Sequence, residues 1–286
     1  MKRRSRSAGD PDCKVGCKRR RNLKSAAADP TQRTPTAEGL PAGGLPVSVG
    51  EFYWGYASGI VATKVPGVGE FVLAELTQPF DQADVTYFFP LMQQVSQRLG
   101  RRPRFGALDA GFDAFYVYDY FHNPDHDGFA AVPFSEKGRK GQRQFADDGL
   151  PLCDAGLAMP VKQLYNDTTT TLIPHQRARH VCPLRFPQIN GQTCPVDHPR
   201  WPKGGCTAQL PVAPGARIRH QLDRECDRFR QIYKQRTAVE RINSQATALG
   251  IERPKLRNRQ AITNSNTLIY ILINLPAGER LRKPNT

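Results

Sequence analysis

"YASGIVATKVPGVGEFVLAELTQPF", residues 56–80, joins two β-rich runs through Pro-Gly-Val-Gly. Apolar and β-branched residues fill 56–65 and 70–80, and the intervening proline and glycines supply a chain reversal, so the stretch predicts a hairpin. A helix is expected next. In "FDQADVTYFFPLMQQVSQRLG" apolar residues recur at Val85, Phe88, Phe89, Met92, Val95 and Leu99. Asp81 or Asp84 is placed to cap its start, and Gly100 to end it. "RFGALDAGFDA" (104–114) predicts a third strand ending in Asp109, "AFYVYDYFHN" a helix, and "GFAAVPFS" (128–135) a fourth strand. Residues 136 to about 215 are polar and proline-rich, with spaced cysteines and no helical period. Helix returns from about 220 to 248, breaks at "GIERPKLRN", and a last apolar helix covers 260–275. The order β-β-α-β-α-β, an insertion and then helices implies an α/β protein, a mixed sheet flanked by helices.

The chain has 286 residues, enough for one large domain or two modest ones. Its 41 Lys and Arg exceed 26 Asp and Glu, giving a formal net charge of +15. That balance favours a polyanionic partner, with nucleic acid ahead of membrane. No run approaches the roughly 20 apolar residues of a membrane span, and no apolar segment follows the basic start as a secretory signal would require. Seven cysteines is an odd count for a disulfide framework, so a reduced, cytoplasmic protein is expected. Residues 1–48 carry "KRRRNLK" and then a Pro-, Gly- and Thr-rich stretch, which predicts a disordered basic tail before a core at 49–280.

Asp109 directly follows an apolar strand, a position where α/β proteins gather chemistry because the strand fixes the residue and the loop leaves its side chain open. An aspartate there ordinarily caps the next helix or closes a turn. Asp113, immediately before "AFYVY", fits that capping role better and leaves Asp109 without an obvious structural task. In "YKQRTAVERI" (233–242), Tyr233, Arg236 and Glu240 fall at steps of three and four, on one stripe of a helix. An ordinary solvated charged face has the same pattern.

The strand "GALDAGFDA", followed about 130 residues later by "YKQRTAVERINSQ", resembles the catalytic core of bacterial insertion-sequence DDE transposases. In that family a ribonuclease H-like sheet carries two aspartates, and a later helix carries a glutamate within Tyr-x2-Arg-x3-Glu, here Tyr233, Arg236 and Glu240. The resemblance covers roughly 50–280. It implies DNA cleavage and strand transfer at the ends of an insertion sequence, with Asp109 and Glu240 as catalytic ligands of Mg²⁺ or Mn²⁺. Such ions prefer carboxylate and water oxygens, and a metal pair stabilises the attacking and leaving oxygens at phosphorus. Arg236 would hold a phosphate or orient Glu240, and Tyr233 would bond to or pack on the DNA backbone. The implied partners are double-stranded DNA and further copies of the chain.

The family's first acid ends the first core strand, where this sequence has Thr63 or Lys64. Three readings stay open: a truncated, inactive copy that only binds DNA or a full-length partner, an acid drawn from Asp81, Asp84 or Glu75, or a shifted strand register. The family's N-terminal DNA-binding region is also expected to be missing. Separately, Cys182, Cys194 and Cys206, at intervals of twelve, with His198 nearby, form a candidate zinc set. The basic runs containing Arg19, Arg20, Arg21, Arg139 and Lys140 are candidate phosphate contacts.

Overall fold

The computed structural model describes residues 10–19, 50–122, 127–135, 141–168, 172–189, 191–196 and 198–283. The expected hairpin is present. Strand β2 (Gly50–Val65) and strand β3 (Gly69–Pro79) pair antiparallel from Tyr56↔Pro79 to Val65↔Gly69. Gly67, at φ 75°, makes the tight reversal that an L-side chain rarely adopts. Strand β1 (Lys14–Arg19) pairs antiparallel with the first six residues of β2. Part of the segment read as a disordered tail is therefore folded. Asp10 ties that end down, accepting from the Tyr56 hydroxyl at 2.7 Å and from the Asn258 N–H at 3.0 Å.

Helix α1 (Phe88–Leu99) follows, with Phe88, Leu91, Met92 and Val95 buried, and Gly100 closes it at φ 65°. Neither Asp81 nor Asp84 caps it. A 3-10 turn over Asp84–Tyr87 leads straight into the helix, so the cap position falls on Tyr87 and takes no side-chain bond. Strand β4 (Phe105–Ala107) runs parallel to β5 (Phe129–Ala131), and helix α2 (Phe115–Phe121) lies between them in the chain. The aromatic core gathers Phe88, Tyr116, Tyr118 and Phe121 around Val117, Ala130 and Val132.

Residues 136–215, read as a loop-rich insertion without a helix, contain a third sheet. Strand β6 (Val161–Asp167), β7 (His175–Val181) and β8 (Thr207–Pro211) pair antiparallel in that order. The helix expected at 220–248 is three segments: α3 (Pro214–Gln221), α4 (Asp227–Tyr233) and α5 (Thr237–Ala248), with a 3-10 turn at Lys234–Arg236 joining the last two. Leu222 turns extended, ψ 119°, and ends α3. Helix α6 (Arg259–Arg282) starts at Asn258, whose carbonyl side-chain oxygen accepts from the Ala261 N–H, and continues through Pro276. It packs on β3, with Ile269, Tyr270 and Ile273 meeting Val72 and, from α5, Ile242 and Ala246. The chain is thus α/β, but among the described residues its strands form three separate sheets where one mixed sheet was expected. The β4–β5 ladder is only three residues long, and β4 gives way to a 3-10 turn at Ala110–Phe112.

Asp113 does not cap α2. Its carboxylate is fully buried and accepts from the Tyr118 hydroxyl (2.8 Å), the Ser135 N–H (2.7 Å) and Arg219 (2.6 Å). Helices α2 and α3 meet at Gly215, where an added Cβ would lie 2.1 Å from the Phe115 carbonyl oxygen. Backbone cannot yield there as a flexible side chain can. Gly215→Ala should cost about 1–3 kcal/mol by overpacking, read as a lower denaturation midpoint in urea at unchanged slope.

Burial pushes the His220 imidazole down to about 4, aided by the adjacent Arg219 and Arg143 guanidinium charges. Its Nδ1 accepts from the Arg143 N–H at 3.1 Å, which requires that nitrogen to be unprotonated. The unfolded chain takes up this proton near pH 6.5, whereas the folded chain resists it until about 4. Stability from this group is therefore complete above about 6.5 and falls as pH drops toward 4. Chemical denaturation across that range should show the loss in the parent, with a shallower slope in His220→Gln.

Candidate active site

The site begins where β4 ends. After Leu108, whose N–H bonds to the Ala131 carbonyl, Asp109 stands at the head of a 3-10 turn over Ala110–Phe112. Its backbone carbonyl accepts from the Phe112 N–H, but its side chain makes no cap bond. The carboxylate is free to reach across to the 3-10 turn between α4 and α5. There the Arg236 guanidinium donates to Asp109 Oδ1 at 2.7 Å and to Glu240 Oε1 at 2.6 Å. Two acids about 130 residues apart are thereby brought onto one cation.

The acids are 46% and 56% exposed, and Arg236 is 25% exposed. Ion pairs this open contribute about 0–1 kcal/mol each, so the arrangement does little for stability. Tyr233 is held beside it by stacking on Phe229, ring centroids 5.5 Å apart, and Arg236 lies 5.7 Å from the Tyr233 ring centre. The Tyr233 ring also packs against the cluster of Phe129, Ala131 and Phe229. Its first task is to fix the approach of α4 to the β4–β5 pair.

The stripe read from the sequence survives in modified form. Tyr233 closes α4, Arg236 lies in the 3-10 turn and Glu240 in the first turn of α5. A 3-10 turn inside a helical run tightens the chain locally, and here it carries the residue that joins both acids. On its other side α5 is anchored by Arg241, whose Nε donates to Glu70 Oε1 of β3 at 2.8 Å.

At the end of β2, Thr63 pairs with Phe71 and the exposed Lys64 with Glu70, so no acid comes from that strand position. Of the alternative acids, Glu75 accepts from Thr267 of α6 and Asp81 accepts from Gln82. Asp84 is the one beside the Asp109 loop: its Oδ2 lies 3.1 Å from where a side chain on Gly111 would begin.

Among the described residues no group of three or more His, Cys, Asp or Glu side chains is already spaced as a coordination shell. The acid pair matches Mg²⁺ or Mn²⁺ in donor type and charge, since such ions use one or two protein carboxylates and complete their shell with water and phosphate oxygens.

The candidate zinc residues have these surroundings. Cys206 meets Cys182 and Cys153, and burial together with those two thiols pushes its own thiol up. Cys153 was overlooked because it lies 29 positions before Cys182 in sequence. His198 Nδ1 instead accepts from the Arg200 N–H at 3.1 Å, and Cys194 is half-buried on the 191–195 loop. Of the basic candidates, Arg19 is the last residue of β1, while Arg20, Arg21, Arg139 and Lys140 lie outside the described residues. No described helix is long and apolar enough to cross a membrane. Comparison with protein-family models, curated proteins and solved structures returns no match for this chain.

Proposed function

We propose that this chain is a DNA-processing protein of the DDE transposase kind, with a ribonuclease H-like core, whose Asp109 and Glu240 carry metal-dependent cleavage and transfer of a phosphodiester. The observation that supports it is the convergence of Asp109 and Glu240 on Arg236. Remote acids that add little stability have no structural reason to be held together with half their surface open.

Asp109 and Glu240 would hold Mg²⁺ or Mn²⁺ and Arg236 would turn toward a DNA phosphate, which a guanidinium grips bidentately. Bound there, the ion would supply positive charge to the oxygens that attack and leave phosphorus. Until DNA arrives, Arg236 keeps the two like charges from repelling each other. Asp84, beside the Asp109 loop, is the candidate for the third acid. The net charge of +15 supplies sequence-neutral attraction to the DNA backbone.

A second reading has its own support. Arg236 already neutralises both acids, and the end of β2 offers Lys64 where an acid is expected. A protein in that condition binds DNA, or further copies of a related chain, without cutting. Incubating the purified chain with supercoiled plasmid and Mg²⁺ or Mn²⁺ separates the two. Nicked circles that disappear with EDTA support catalysis. A gel shift that persists in EDTA, with no nicking in either metal, supports binding alone.

A further inference from the structure

The β6–β8 sheet ends in thiols. Val181↔Thr207 is the last pair of the β7–β8 ladder, so Cys182 and Cys206 are the next residues out on the two neighbouring strands. Gly205, at φ 87°, lets the chain approach closely: a Cβ there would stand 2.7 Å from the Cys182 Cβ and 3.1 Å from its Sγ.

A third thiol arrives from a separate segment. The bridge Leu152↔Ala158 closes a small loop, within which Cys153 N–H bonds to the Leu157 carbonyl and the Gly156 N–H to the Cys153 carbonyl. The following residues deliver this loop to the end of β7, where the Val181 N–H bonds to the Pro160 carbonyl. Cys206 is then close enough to both Cys182 and Cys153 for their thiols, with burial, to push its own thiol up. All three are free thiols, and Cys182 is 4% exposed.

Cys182, like Cys153, opens a tight turn, its carbonyl accepting from the Arg185 N–H. Leu157 and Leu184, one from each turn, line a cavity of about 520 Å³ with Gly191, Gln192, Thr193 and Pro195. Cys194 lies in the chain between two of those lining residues.

We infer that Cys153, Cys182 and Cys206 bind one zinc ion that staples the 153–157 loop and the 182–206 loop to the end of the β7–β8 ladder. Thiols are weak mutual hydrogen-bond partners, so three of them gathered from three segments gain little from one another. Thiolates, in contrast, are the strongest protein ligands for a soft tetrahedral cation. As they stand the thiols are not spaced as a coordination shell, and loading the ion would draw them inward and release their three protons to solvent. Cys194, on the 191–195 loop midway in sequence between Cys182 and Cys206, is the further cysteine that could supply a fourth ligand, with water as the other source. This inference is independent of the acid pair at Asp109 and Glu240.

The full chain, expressed with zinc in the medium and purified without chelator, should carry about one zinc per chain by plasma emission. Cys153→Ser, Cys182→Ser and Cys206→Ser should each bring that content near zero, while Cys13→Ser and Cys226→Ser keep it. Because Cys182 is buried and its variant can fail to fold, cobalt supplies a second reading on the unaltered chain. Exchange of zinc for Co²⁺ should give the near-ultraviolet thiolate charge-transfer band and the intense visible bands of a tetrahedral site. Zinc retained in all three serine variants overturns the assignment. So does an unaltered, folded chain that carries no zinc and shows no thiolate band with Co²⁺.

Discussion

Asp109→Ala and Glu240→Ala should each abolish Mg²⁺- or Mn²⁺-dependent nicking of DNA while leaving the thermal midpoint within a degree or two of the parent. The two halves of this expectation come from different physics. A ligand that contacts the ion directly should cost more than the roughly 10–100-fold lost when an outer partner is removed. The ion pairs that these acids make with Arg236 are half-open to solvent, and such pairs contribute about 0–1 kcal/mol. Loss of activity without loss of fold is the signature to look for. Arg236→Ala should fall between, lowering nicking by roughly 10–100-fold because it removes the group that orients both acids. If the parent nicks and both alanine variants nick equally well, the acids are only a surface ion-pair network. If nothing nicks but DNA is still retained in EDTA, the binding reading stands.

Asp113→Ala carries the largest expected cost in stability. Its carboxylate has no solvent exposure and is shared by Arg219, the Ser135 N–H and the Tyr118 hydroxyl. That hydroxyl also accepts from Arg224, which favours its ionised form, but burial and the Asp113 charge outweigh this and raise its pKa, so it stays protonated and keeps donating to Asp113. Removing the carboxylate takes from the Arg219 guanidinium, itself 22% exposed, its charged partner, leaving the Ser135 carbonyl and His220, and deprives the half-buried Ser135 N–H of its acceptor. Breaking a buried pair from one side costs about 3–5 kcal/mol. At roughly 2–4 °C per kcal/mol for a chain of this size, the melting midpoint should drop by on the order of 10 °C in calorimetry. Asp113→Asn should recover part of this by keeping an acceptor for Ser135. A midpoint unchanged by Asp113→Ala would show that the knot can be replaced by water.

The aspartates show where sequence reading succeeded and where it failed. Asp109 was separated from Asp113 on the argument that only one of them had a local task. The distinction held, but the task differed: Asp113 is taken by Arg219, over a hundred residues away. A cap is a local bond and is visible in a short window, whereas a buried acceptor shared with α3 is not. The three strands of the 136–215 segment were missed for a related reason. "VKQLYND" and "HQRARHV" place polar residues on both faces, and in β6 all but two residues are exposed. Period-two alternation fades when neither face is fully buried.

Local chemistry was sufficient for the β2–β3 hairpin, for the end of α1 at Gly100 and for the α/β class, because turn glycines and apolar periodicity act over a few residues. Sequence also singled out Asp109, Arg236 and Glu240 by residue type and spacing. Their meeting was decided by tertiary structure: β4 sets the position of one acid, a 3-10 turn between α4 and α5 sets the guanidinium, and packing of α5 on β2, β3 and α6 sets the other acid. The thiol group depended on the same kind of long-range decision, since pairing of β7 with β8 set Cys182 beside Cys206 and the loop after Leu152 brought Cys153 in from a separate segment. Spacing along a chain measures distance only inside one element, and each of these groups is built from several.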